Sequence, residues 1–351
     1  MMSRAITVAA LAISLGGCAV DTTLPDAPTP PPSTEHDPVG ASFAASAFAD
    51  GALLEAPARV DCTLSDGSPA ICVRYVVGAA PRTATLGPWC PRNVSDGPEV
   101  SGIWLEGGRV YDADGEFIQN LASFYNDLQF QLFDPATGRI NVTDTETACE
   151  AAARPDVDAR YRNHCVECEI SYLPDDHVQV FVIPETPRRL GRVVAMGRNP
   201  VGLSFRGVRY DAPAPTDAIL SAHTLAPFDD CGGHVNTAVG YHQHAVTDCE
   251  VGRPSAGGHG AAIGVALDGF AIHEPLVDTT GLDACFGHQD ANGTYHYHAG
   301  PGGGNAILGC FTGAYGCALA DRASQCDATQ SARRGPPPGE MRGDRPPRPP
   351  R

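Results

Sequence analysis

The sequence contains no lysine: its 24 basic residues are all arginine. A Walker A phosphate loop, a Schiff-base lysine and a serine-lysine dyad each need that amine and are excluded. Cationic charge is scarce as a whole. The 41 acidic residues leave a formal net charge of −17, which argues against nucleic acid or an anionic membrane surface as the main partner. Long apolar runs are missing too. The one near the N-terminus, after Arg4, extends for about 10 residues, too few for a spanning helix. The four methionines are Met1, Met2, Met196 and Met341, and no Gly-x-Ser-x-Gly nucleophile motif occurs.

Cysteine, glycine and proline are abundant, at 13, 39 and 31 residues. Leu15-Gly16-Gly17-Cys18 after the short apolar run resembles a lipoprotein signal with its lipobox, so Cys18 is the expected lipidation site and membrane attachment runs through it. Twelve cysteines then remain, an even number as expected of a disulfide framework in an oxidising compartment. Cys165-x-x-Cys168 has no second closely spaced pair and is read as disulfide cysteines rather than a redox or zinc motif.

Composition divides the chain into a signal peptide (1–17), a proline-rich tether (18–40), an N-terminal β region (41–164), a duplicated region (165–330) and an Arg/Pro-rich tail (331–351). The tail carries six arginines and seven prolines against two acids, cannot bury a core and is expected to be disordered. Strands are expected at Ile71–Val77 and His177–Ile183, and hairpins at Val100–Val110 and Gln129–Val142. Short helices are expected within Ala41–Ala58 and Glu146–Tyr161. The expected fold is mostly β, a disulfide-stapled, sandwich-like structure with long loops.

The duplication rests on one pattern. Asp229-x-Cys231-x-x-His234, six residues, then Tyr241-His242-Gln243-His244 recurs as Asp283-x-Cys285-x-x-His288, six residues, then Tyr295-His296-Tyr297-His298. Each run is preceded by a glycine-centred hairpin, Gly202–Gly207 and Gly264–Gly269. If the runs are extended, His242 and His244 project from one face, with α-carbons about 6.6 Å apart. Two such imidazoles and a third from another segment can close on one metal ion at about 2.0–2.1 Å. The candidate ligands are therefore His234, His242 and His244 in the first copy and His288, His296 and His298 in the second.

Asp229 and Asp283 are candidates for a fourth ligand or for the acceptor that fixes an imidazole tautomer, with Tyr241, Tyr295 and Tyr297 beside them. His223, His259 and His273 lie outside the repeated pattern and are read as loop or core histidines. The two pairs are expected to face each other across one shared site, since four imidazoles on two rigid strands are held better than ligands on glycine-rich loops.

Tyr295–His298, Tyr241–His244, Gly264-Val265-Ala266-Leu267-Asp268-Gly269-Phe270 and Gly309-Cys310-Phe311 together resemble the YHYH domain family of bacterial secreted and lipoprotein sequences, over roughly residues 165–320. Gln243 stands where the family's first motif has tyrosine. His273-Glu274 stands where relatives read Tyr-Gly. The family is named for a motif, and the resemblance implies no particular activity.

Three functions follow from the residues. Neutral imidazoles in an oxidising compartment favour copper(II) or zinc, so the leading expectation is an envelope lipoprotein that binds one of these. A metal-dependent extracytoplasmic enzyme, hydrolase or oxidoreductase, is the second; there a metal-bound water would react, with Asp268 or Glu274 as base and the tyrosines as oxyanion donors. A structural or adhesive surface module needs no metal.

Overall fold

The computed structural model describes residues 44–333 apart from 83–84, 154–155, 198–199, 248–258, 321–322 and 324. The expected signal peptide, tether, lipidated Cys18 and nearly all of the tail lie outside the described residues.

The protein is mostly β. A five-stranded sheet comprises β1 (Ala58–Thr63), β2 (Pro69–Gly78), β5 (Val178–Pro184), β16 (Cys317–Ala320) and β17 (Cys326–Asp327), in the order β16-β5-β2-β1-β17. Two short pairs stand apart: β3 (Ile103–Glu106) with β4 (Arg109–Asp112), and β6 (Arg189–Val194) with β15 (Phe311–Gly313). The remaining strands are β7 (Gly202–Ser204), β8 (Arg209–Tyr210), β9 (Gly233–Asn236), β10 (Gly240–Gln243), β11 (Ala262–Ala266), β12 (Ala271–His273), β13 (Gly287–Gln289) and β14 (Tyr295–His298). They form one eight-stranded sheet in the order β13-β14-β12-β11-β7-β8-β10-β9.

The two large sheets share a core, as the sandwich reading requires. Tyr75, Val77, Val180 and Phe181 of the smaller sheet belong to the same buried cluster as Leu203, Val265, Ile272 and Tyr297 of the larger one. β5 is buried along its whole length, so its near-continuous apolar run Val-Gln-Val-Phe-Val-Ile-Pro replaces the usual alternation. β1 and β2 precede residue 165 while β5, β16 and β17 follow it, so both halves of the chain build one sheet.

The duplication is visible in the strand order. Within each copy a hairpin (β7–β8, β11–β12) continues through a parallel pairing into the histidine strand (β10, β14), which is flanked by an antiparallel edge strand (β9, β13). The copies join through β7 and β11, antiparallel at the sheet centre.

Five disulfides pin the loops: Cys62–Cys72, Cys90–Cys165, Cys149–Cys168, Cys285–Cys310 and Cys317–Cys326. Cys231 is disulfide-bonded as well. Cys165 and Cys168 thus bond to different partners, as disulfide cysteines and not as a paired motif.

The helices differ from expectation. Glu146–Ala152 is helical, capped by Thr145, whereas the described part of the Ala41–Ala58 segment contributes a 3-10 turn at Ala45–Ala47 and no α-helix. A ten-residue helix, Gly115–Phe124, arises where none was expected. The Asp114 side chain accepts from the Phe117 amide at 2.8 Å, and Ile118 and Leu121, three apart, bury one face against Trp104 and Leu132. The Gln129–Val142 segment turns back on itself through the isolated bridge Phe133–Ile140 and the Asn141-to-Leu132 and Asp134-to-Arg139 backbone bonds, without extending into a strand hairpin.

Candidate metal centres

Strand alternation separates the tyrosines from the histidines. Tyr295 and Tyr297 enter the shared core, which sends His296 and His298 to the opposite face of β14. Tyr241 likewise packs among Cys149, Leu173 and Val235, leaving His242 and His244 on the other face of their strand. Edge-strand register supplies the third ring: His234 pairs with His242, and His288 with His296. All six candidate ligands are thus gathered, in two groups of three.

The expected shared site does not form. β10 and β14 are separated in the sheet by β8, β7, β11 and β12, five strand spacings or roughly 24 Å. Pseudo-twofold packing places the copies' inner hairpins together and sends the histidine strands to opposite ends. Each copy recruits its third imidazole from the neighbouring edge strand, not from a glycine-rich loop.

In the second group the Nε2 atoms form a near-equilateral triangle: His288 to His296 3.1 Å, His296 to His298 3.2 Å and His298 to His288 3.2 Å. A tetrahedral ion with bonds of 2.0–2.1 Å has ligand-to-ligand edges of about 3.3–3.4 Å, so the triangle matches one face of such a tetrahedron. The Nδ1 of His298 lies 2.8 Å from the Glu274 carbonyl. A carbonyl can only accept, so Nδ1 carries the proton and Nε2 presents a lone pair to the other two rings.

His259, outside the repeated pattern, joins this group, with a nitrogen within 4.8 Å of each of the others. It lies outside the strands and helices, as the loop reading has it, yet its ring reaches this group: a residue supplied from outside the repeat leaves no spacing signal. His273 donates Nδ1–H to the Gly260 carbonyl at 2.7 Å and packs its ring 4.5 Å from that of His296. His223 lies elsewhere, 3.1 Å from Asp127.

The first group contains His234, His242 and His244, their ligand nitrogens also within 4.8 Å of one another and their ring centroids 4.8–5.1 Å apart. Backbone carbonyls fix the rings here too: Gly240 accepts from His242 Nδ1 at 3.0 Å, Ala212 from His244 Nδ1 at 2.6 Å, and Pro227 from His234. Phe228 stacks on His234 at 4.9 Å. The three rings line a cavity of about 260 Å³.

Burial keeps both groups neutral. Desolvation, followed by the neighbouring imidazoles, pushes His234 and His242 well below the usual histidine range, and desolvation lowers His244. Desolvation and the surrounding rings bring His296 to about 4; desolvation brings His298 to about 4 despite its bond to Glu274; His288 is also lowered. A neutral imidazole has the free lone pair that metal binding needs.

The aspartates and tyrosines serve the turns and the core instead of the imidazoles. Asp229 accepts from the Cys231 and Gly233 amides and the Tyr241 phenol; Asp283 accepts from Cys285, Gly287 and Tyr295 in the same way. Each carboxylate shapes the turn that delivers the third histidine, so these residues act on the site through the backbone. Tyr297 donates to Asp268 at 2.6 Å on the core face, and Asp268 is fully buried. Neither is placed as a base or an oxyanion donor. The Glu274 side chain accepts from the Ala261 amide at 3.2 Å.

Among the described residues no helix is long and apolar enough to cross a membrane, and the disulfides fit an extracytoplasmic protein. No curated protein and no solved structure matches the chain significantly. A family model described as YHYH protein matches residues 180–280, a span that takes in the first histidine run and the Gly264–Phe270 segment and ends before Tyr295–His298. The chain carries a YHYH domain.

Proposed function

We propose that this chain is an extracytoplasmic metal-binding protein with two separate centres, each taking one divalent ion, copper(II) or zinc. The observation that carries the reading is the Nε2 triangle of His288, His296 and His298, with edges of 3.1–3.2 Å. Three ring nitrogens at that distance repel one another unless a cation or N–H protons lie between them; His298, whose Nδ1 proton is held by the Glu274 carbonyl, presents a lone pair, and one divalent ion satisfies all three nitrogens at once. Imidazole donors without thiolate or thioether favour copper(II) or zinc over copper(I). Lipid attachment through Cys18 completes the proposal and would hold the domain at the cell envelope, with the metal and the membrane as its partners.

Elemental analysis of purified protein is the test, with two equivalents of copper or zinc per chain expected after equilibration and dialysis. Retention of less than a tenth of an equivalent would overturn the metal reading and favour a structural or adhesive module. Attachment is tested separately: Cys18→Ala should release the protein from membranes, and a variant that remains bound through a high-salt wash rules the anchor out.

A further inference from the structure

The two centres differ in what surrounds them. The second has a fourth histidine, His259, within reach of the ion position; among the described residues the first group has three histidines and no fourth. The first also borders the 260 Å³ cavity, whose other walls include Trp89, Val166, Pro215, Ala218, Ile219 and Ala226. That is many times the volume one water needs, so a small molecule fits beside the ion.

We propose that the first centre is a ligand-binding centre for a small aromatic or cyclic carboxylate, whose oxygen takes the open position on the ion while its ring fills the cavity. This rests on the metal reading above. The charge follows from the donors. Three neutral imidazoles leave a divalent ion uncompensated, and the carboxylates on the cavity wall have cationic partners of their own: Asp211 with Arg209 at 2.8 Å, and Glu167 with Arg92. Among the described lining residues none is an arginine, so the ion is the one positive group they enclose and it favours an anionic oxygen there. The apolar walls then select the rest of the molecule: they gain from burying a ring and gain little from a methyl group. A three-histidine centre with an exchangeable fourth position is the arrangement that lets a ligand reach the ion, whereas a fourth protein ligand closes it.

Cobalt(II) makes the exchange visible, because its visible absorption changes when a ligand enters the coordination shell. The full chain loaded with cobalt is titrated with benzoate and, separately, with acetate. The expected result is a benzoate response at least tenfold tighter than that of acetate, unchanged in the His296→Ala/His298→Ala variant and absent from His242→Ala/His244→Ala, which still binds one cobalt. Ala218→Phe, which places a ring in the cavity, should keep both cobalt ions and weaken benzoate to the level of acetate. Cobalt bound at the first centre without a carboxylate response, or with equal responses to benzoate and acetate, overturns this proposal and leaves the metal reading standing. Failure to bind cobalt, copper or zinc at all overturns both.

Discussion

Leu203 and Val265 are register partners in the antiparallel pairing of β7 with β11, and each is the other's counterpart in the repeated hairpin, at an offset of 62. A residue that pairs with its own counterpart marks the position of a local pseudo-twofold axis. The histidine strand that follows each hairpin is then carried outward, the two in opposite directions. The tautomer-fixing contacts are duplicated with it: the carbonyls of Ala212 and Glu274, which hold His244 and His298, also stand 62 residues apart.

Symmetry of this kind makes the two centres independent, because groups far beyond contact distance contribute additively. His242→Ala with His244→Ala should remove one of two bound metal equivalents, His296→Ala with His298→Ala the other, and all four substitutions both. Metal content of the three variants, measured beside the parent, decides the point. Loss of nearly all metal from either pair alone would restore the shared site.

How much of this was legible in the sequence depends on the range of the signal. The repeat spacing pointed to the histidine strands and to the six candidate ligands, because strand period is local; that His234 and His288 stand on edge strands and not on glycine-rich loops depends on pairing, which spacing does not report. The choice between one site and two was not local: it depends on which strands of each copy meet, and nothing in the Asp-x-Cys-x-x-His-x6-Tyr-His-x-His pattern reports that β7 and β11 are neighbours. His259 reaches its group by a separate route, without a counterpart among the described residues of the first copy. The roles of the repeated aspartates were misread for a related reason. Their partners, the amides of Cys231, Gly233, Cys285 and Gly287, are invisible to side-chain reasoning. The Gly115–Phe124 helix escaped because it is short, so its amphipathic pattern extends over few turns.

Gly287 precedes His288 and lies directly under the Tyr295 ring, where a β-carbon would collide with the phenol oxygen and come within 2.9 Å of the His296 carbonyl. Its φ is not positive, so the requirement is for space alone. Gly287→Ala should displace Tyr295, loosen its 2.8 Å bond to Asp283 and destabilise the fold by about 1–3 kcal/mol. The displaced β13 register should weaken metal at the second centre while the first keeps its affinity. Thermal unfolding and site-resolved metal titration of the variant check both parts, and equal weakening at the two centres would contradict the local account.

Asp268 supplies a pH dependence separable from that of the histidines. Burial raises its carboxyl to about 6 from an ordinary 3.8, against the opposing bonds from Tyr297 and Gly313. Between roughly pH 4 and 6 the folded chain therefore holds a proton that the unfolded chain has released. The unfolded state then binds fewer protons, and this group's contribution to stability falls as pH rises through the window. About two pK units correspond to on the order of 3 kcal/mol. Asp268→Asn cannot titrate, so the free-energy difference between the metal-free parent and the variant should move in the variant's favour by that order between pH 4 and pH 7. The histidine contributions are common to both proteins and cancel in the difference. Urea unfolding of the two at several pH values gives the curve directly, and a difference that stays flat or slopes the opposite way would mean that Asp268 remains ionised in the core throughout.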